Sequence, residues 1–158
     1  MSVWKTDDEL QAAQEEYANY LRNRHNQEWE SIRFDIDGVQ AVRPEIIETF
    51  PYWYAGSDAV IKISTDEFVS VCPWSGLPDF AKLTVEYIPS ERCIELKSLK
   101  YYLYTWRSVG MFYEHIINKL LQDLVQACEP RWMRITGDFS VRGGLTTQAQ
   151  VTYGVYPG

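Results

Sequence analysis

ELKSLKYYLYTWRSVGMFYEHIINKLLQDLVQACEP, residues 95–130, carries two helical patterns in succession. From Glu95 the apolar residues recur at helical spacing. Leu96, Leu99, Leu103 and Trp106 form one stripe, with Lys97, Lys100 and Tyr104 on the other side. Gly110 breaks the pattern. A second helix runs from about Met111 to Ala127 on a dense apolar set: Phe112, Ile116, Ile117, Leu120, Leu121, Leu124 and Val125. Pro130 closes it.

On both sides the period changes to two. Upstream, Ala59, Ile61, Ile63 and Thr65 have strand character, and Phe68 to Val71 is a second short extended piece. After the turn-rich stretch Pro73 to Pro78 comes a strand over Lys82–Ile88, ending at Pro89. Downstream, Trp132 to Phe139 and Leu145 to Val155 read as two strands joined by Arg142-Gly143-Gly144. The order strand, strand, helix, helix, strand, strand predicts an α+β layer fold: an antiparallel sheet with two helices on one face. Both sheet edges are left open, and open edges invite pairing with another subunit. A ring-like homo-oligomer is therefore expected.

The first thirty residues read as an amphipathic arm. Thr6 and Glu9 fit a capping box, and Leu10, Ala13, Tyr17 and Leu21 share one face of a helix from about residue 7 to 26. This divides the chain into a helical arm and linker, 1–45, and a body, 46–158.

Composition narrows the function classes. The 158 residues suit one domain plus an appendage, and 46% apolar residues can build a core. A formal charge of −7 argues against a nucleic-acid grip, which needs a basic footprint. No run approaches the roughly 18 apolar residues of a membrane span, and the N-terminus lacks signal-peptide order, so a cytoplasmic protein is expected. Cys72, Cys93 and Cys128 form no CxxC pair, and His25 and His115 are too few for a His-rich zinc site; no metal is expected.

Four places could carry chemistry. Cys72 lies at a strand end before a Pro-Gly-Ser loop, and Asp79 could fold back across that loop to take the thiol proton and return it to a developing nitrogen anion. The same spacing fits an inert packed cysteine beside a turn aspartate. Lys97, Ser98 and Lys100, within Glu95–Tyr102, make a cationic patch suited to nucleotide phosphates, or an ordinary solvated helix face. Glu114, flanked by Phe112 and Tyr113, could accept hydrogen bonds from a guanine-like edge with Phe112 packed on the ring. Equally, it could complement the helix dipole. Arg142 and Gly143 could present a guanidinium and backbone to a phosphate, although Gly-Gly also simply marks a turn.

Together these segments resemble one family, the NADPH-dependent 7-cyano-7-deazaguanine reductases, or QueF nitrile reductases, of queuosine biosynthesis. Val71-Cys72-Pro73-Trp74-Ser75-Gly76-Leu77-Pro78-Asp79-Phe80 is similar to its nucleophile segment. Glu95 to Tyr102 matches the family signature at all eight positions: Glu, Ser/Leu, Lys, Ser/Ala, a hydrophobic residue, Lys, Leu/Tyr, an aromatic. Glu114 falls where the family anchors its substrate, and Arg142-Gly143-Gly144 matches a further loop. The resemblance spans about Glu48 to Gly154, in the short single-module form.

The resemblance implies the tunnelling fold and stacked rings, a decamer being expected, with active sites between subunits. It implies that Cys72 attacks the nitrile carbon to give a covalent thioimide and that Asp79 is the acid. Lys97, Ser98, Lys100, Arg142 and Gly143 would hold NADPH. Glu114, Tyr113, Phe112, Glu95 and Ser98 would contact the 7-deazapurine. One position departs: the family usually has histidine where this chain has Tyr113, which can donate a hydrogen bond but, with a reference pKa near 10, is a weaker acid at neutral pH. His115, the next residue after Glu114, points about 100° away from it on a helix and is not an obvious substitute. Two rivals follow: an amidinotransferase that adds ammonia to the nitrile to form archaeosine, and a non-catalytic ligand-binding relative.

Overall fold

In the computed structural model the described residues are 36–158 and, further upstream, Ala12, Glu15, Glu16 and Asn19. Those four are helical and exposed; the rest of the expected arm lies outside the described residues. The chain forms two compact units, 1–33 and 34–158.

Strand β1 (Thr49–Pro51) is short. Strands β2 (Ile61–Val71) and β3 (Pro78–Ile88) form a hairpin, and β4 (Arg92–Ile94) follows. Helix α1 (Leu96–Tyr104) leads to helix α2 (Tyr113–Cys128), and β5 (Trp132–Arg142) and β6 (Leu145–Gly154) form the closing hairpin. The main sheet is antiparallel in the order β2-β3-β5-β6, and β1 pairs with β4 in a separate ribbon. The expected order of four long strands around two helices is what forms. The two extended pieces read around residue 66 are one strand.

Alternation explains the sheet. Leu83, Val85 and Tyr87 of β3 and Met133 and Ile135 of β5 are buried on the face covered by the helices, against Leu99, Ile116, Ile117, Leu120 and Leu124. Helix α2 packs on β5 and β6, and α1 on β2. Burying such a side chain contributes about 1.5–3 kcal/mol, which holds the layers together. Gly137 lets α2 approach, since a Cβ there would lie 2.6 Å from Ile117 Cδ1.

The α1 stripe differs from expectation at one end. Leu96 is 60% exposed, because it follows directly on the cap of the helix and precedes its packed turn. Tyr102 is fully buried instead, with its hydroxyl donating to Asp123 Oδ2 at 2.7 Å; Lys119 bonds the other oxygen. Phe112 lies just outside α2 as its N-cap residue and is exposed. Residues 36–47 lie against the body. Val42 joins the core, and Asp37 bridges Val109. Among the described residues no helix is long and apolar enough to cross a membrane.

Candidate active site

Two β-bulges aim the site. In β2 the partners are Ile63↔Val85 and Thr65↔Leu83, but then Phe68↔Ala81 and Ser70↔Asp79. Three steps along β2 meet two along β3, so one extra residue enters between Thr65 and Phe68. An extra residue reverses which side chains face inward, because strand alternation has period two. Phe68 and Ser70 therefore join the helix-covered face, and Cys72 follows Ser70 at the strand end. In β5 the partners are Phe139↔Thr147 and then Arg142↔Leu145, again one residue extra. Arg142 is thereby brought to the side of Phe139 and Asp79.

The loop after Cys72 is a tight one. Cys72 N–H donates to Leu77 O at 2.9 Å, and Gly76 N–H to Cys72 O at 2.8 Å. Gly76 has φ 74°, where glycine is favoured. Val71 also bridges Gly110, which sets the start of α2 beside this loop. A Cβ on Gly110 would stand 2.2 Å from Ile36 Cγ2 and 3.2 Å from Pro73 Cα, so both neighbours would have to give way.

Four side chains converge. Asp79 is buried, with 5% exposure, yet Oδ1 takes an ion pair from Arg142 Nη2 at 2.5 Å and a hydrogen bond from the Tyr113 hydroxyl at 3.1 Å. The Tyr113 ring stacks on Phe139 with centroids 3.8 Å apart. Burial and the Asp79 carboxylate push the Tyr113 hydroxyl up, so it remains a donor. Burial pushes the Cys72 thiol up, but the Ser75 amide, the Arg142 guanidinium, the Ser75 hydroxyl and the Trp74 amide outweigh it, leaving it lowered to about 7. A substantial fraction is then thiolate at neutral pH, which is the nucleophilic form. Contact with Cys72 and Asp79 holds Arg142 still more firmly protonated.

The remaining sequence candidates are placed as follows. Glu114 is exposed one residue beyond Tyr113, with Phe112 exposed one residue before it. Gly143 and Gly144, at φ 54° and 78°, form the two-residue turn that carries Arg142. Glu95 caps α1: its carboxylate accepts from the Lys97 N–H at 2.9 Å and the Ser98 N–H at 2.7 Å. The Ser98 hydroxyl is buried, donating to Glu95 O at 2.8 Å and accepting from Glu48 N–H at 2.9 Å. A substrate or cofactor contact at either residue would compete with that cap. Lys97 and Lys100 are exposed, and Lys100 Nζ lies 3.5 Å from Glu67. Among the described residues no hydrogen bond or ion pair joins these lysines to Cys72, Asp79, Tyr113 or Arg142. A groove of about 980 Å³ lies between β2 and α1, with Phe80, Leu99, Lys100, Tyr101 and Arg107 in its wall. Asp66 and Glu67 also line it, so its two cations are matched by two carboxylates.

Sequence reasoning named Cys72, Asp79, Tyr113 and Arg142 as candidates without joining Arg142 to Asp79, the contact that the structure adds. The slip in alternation after Thr65 and the Gly-Gly turn were the available signals. Among the described residues no three His, Cys, Asp or Glu side chains are grouped to hold a metal ion.

An antiparallel four-stranded sheet backed by two helices is the architecture of a tunnelling-fold protein. Residues 78–156 match the family described as QueF-like protein. The chain is 49% identical over 121 residues to the NADPH-dependent 7-cyano-7-deazaguanine reductase of Caldicellulosiruptor bescii, covering 77% of this chain and 92% of that one. It is 51% identical over 109 residues to the protein of the same name from Chlorobaculum tepidum, covering 69% and 93%. This chain belongs to the QueF family of NADPH-dependent 7-cyano-7-deazaguanine reductases. Among solved structures it resembles the archaeosine synthase QueF-Like in its apo form. The TM-score is 0.59 at 25% identity, over 64% of this chain and 99% of that chain.

Proposed function

We propose that this chain reduces the nitrile of 7-cyano-7-deazaguanine to the aminomethyl group with NADPH, through a thioimide on Cys72, as a step in queuosine biosynthesis. The observation that carries this reading is the Cys72 thiol at about 7 beside the Asp79–Arg142 ion pair, in a chain of this family.

The thiolate of Cys72 adds to the nitrile carbon. A C–S bond forms, one C–N π bond breaks, and its electron pair goes to nitrogen. Asp79 relays the proton that nitrogen takes up, and the Tyr113 hydroxyl holds the carboxyl in place. NADPH, when bound, supplies two hydrides per nitrile, so that one nitrile, two NADPH and two protons give one amine and two NADP⁺. Cys72 leaves as thiolate once the carbon has been reduced, and its low basicity eases that departure. Glu114 reads the guanine edge and Phe112 covers the ring. Lys97, Lys100 and Arg142 supply positive charge for phosphates, with Gly143 giving the turn close access.

In this reading the active site is completed between copies of the chain. The separation of the Cys72 cluster from Lys97 and Lys100 within one chain supports it, as do the edge strands β2 and β6. The protein is cytoplasmic and homo-oligomeric, with neither nucleic acid nor membrane as direct partner. The reductase body begins near residue 34 and not at the expected 46, since Val42 packs in its core; the N-terminal arm is the stretch before it.

The test is NADPH consumption, followed by absorbance, on addition of the nitrile base. Oxidation of two NADPH per base supports the reading. The archaeosine-synthase neighbour keeps a second reading open, ammonia addition. If ammonia and not NADPH were consumed, that reading would replace the first.

A further inference from the structure

We propose that Arg142 is a positioning residue of the addition step: its ion pair and the Tyr113 hydrogen bond hold Asp79 by one oxygen, Oδ1, so that the other, Oδ2, passes the proton to the nitrile nitrogen. The proposal deepens the reductase reading and rests on it. It departs from the phosphate contact that the sequence gives this arginine.

Three observations carry it. The first is the contact. Arg142 Nη2 lies 2.5 Å from Asp79 Oδ1, and the Asp79 side chain is 4% exposed. A buried carboxylate is costly to leave without its charged partner, so the pair holds the carboxyl in place. The second is the choice of oxygen. The Tyr113 hydroxyl donates to the same Oδ1 at 3.1 Å, and its ring is held in turn by the stack on Phe139. Two donors reach one oxygen from two elements, β5 and α2, which fixes the turn of the carboxyl group. Proton transfer over hydrogen-bond distance needs such a fixed donor. The third is the aim. Phe139 pairs with Thr147 and Arg142 with Leu145, so one extra residue in β5 turns Arg142 to the side of Phe139 and Asp79. Uninterrupted alternation would place it on the opposite face. Residues 140–142 are exposed, so core packing does not account for the extra residue. Arginine suits the post because it does not deprotonate.

The step balances. The proton that leaves the Cys72 thiol passes by Oδ2 to the nitrogen that gains the π electron pair. Asp79 begins and ends in the same state, with Arg142 and Tyr113 on Oδ1 throughout.

The experiment mixes the full chain with 7-cyano-7-deazaguanine without NADPH and follows thioimide formation by stopped-flow absorbance. Steady-state NADPH oxidation is measured beside it. Arg142→Gln should slow adduct formation about ten- to hundredfold, with the KM for NADPH within about twofold of wild type. Arg142→Lys, which keeps the charge but not the fork, should recover part of the rate. In an Asp79→Asn background Arg142→Gln should cost little more, because the arginine acts through the carboxylate. Circular dichroism establishes that the variants are folded; if Arg142→Gln is not, Arg142→Lys carries the same comparison of adduct rate and KM. An unchanged adduct rate with a raised KM for NADPH would overturn the proposal, as would losses that add in full in the double variant. A wild-type chain that forms no adduct would overturn the reductase reading itself, so the two failures are told apart.

Discussion

The Tyr113 hydroxyl donates to Asp79 Oδ1 across 3.1 Å while its ring stacks on Phe139. The family usually has histidine here, and the phenol meets the carboxylate as a fixed donor. Tyr113→Phe keeps the stack and removes one hydrogen bond. Turnover by NADPH oxidation should fall about tenfold, the worth of a bond near 1.4 kcal/mol, with a melting temperature close to wild type. Tyr113→His should stay within a few-fold of wild type. Equal, near-complete losses in both variants would mean that the hydroxyl itself reacts.

Cys72 should show its lowered acidity in its reactivity. The rate of iodoacetamide modification should climb with pH and level off above about 7, a range where an ordinary thiol is still climbing. Cys128, pushed up to about 12 by burial and the neighbouring Cys93, should not react in the folded protein. Cys72→Ala should abolish both the modification and any mass increase by one nitrile base. Mass spectrometry reads both.

Glu95 should matter for stability in a pH-dependent way. The Ser98 and Lys97 amides hold its carboxylate below the ordinary range. A depressed acid stabilises the fold above its unfolded-state value and loses that contribution as pH falls through the folded-state value. Glu95→Ala should therefore lower the thermal midpoint at pH 7, and the gap from wild type should close at strongly acidic pH. A gap independent of pH would count against the cap.

The buried Tyr102–Asp123 pair should be one of the costlier contacts to break. Tyr102→Phe leaves Asp123 Oδ2 without its donor, so urea unfolding should show a loss of about 1–3 kcal/mol. Activity per folded molecule should be unchanged.

Much of the fold was legible because periodicity reports burial directly. The Ile116–Leu124 stripe and the Leu83, Val85, Tyr87 alternation both lie in the core. Leu96 was misplaced because the pattern ignores where a helix begins to pack. Asp123 was invisible as a core residue, since its burial depends on Tyr102, twenty-one positions away. At the site, Cys72 and Asp79 could be paired from the loop between them. Arg142 could not be joined to them, because its aim comes from one extra residue in β5, and spacing along the chain does not say which way a side chain will face. Glu95 and Ser98 also form the cap of α1, a local role that the signature by itself does not display.

The paired irregularities in β2 and β5 also uncouple two demands on the same strands. Upstream of each, the in-and-out order answers to the oily interior; downstream, it also sets the side taken by the reagent groups, with Phe68 still serving the interior. Removing the surplus residue from β2 would leave Ile61, Ile63 and their partners undisturbed yet turn the sulfur to the opposite side of the sheet. The same deletion would turn Phe68 out of the core, so the loss of chemistry would be accompanied by a loss of stability.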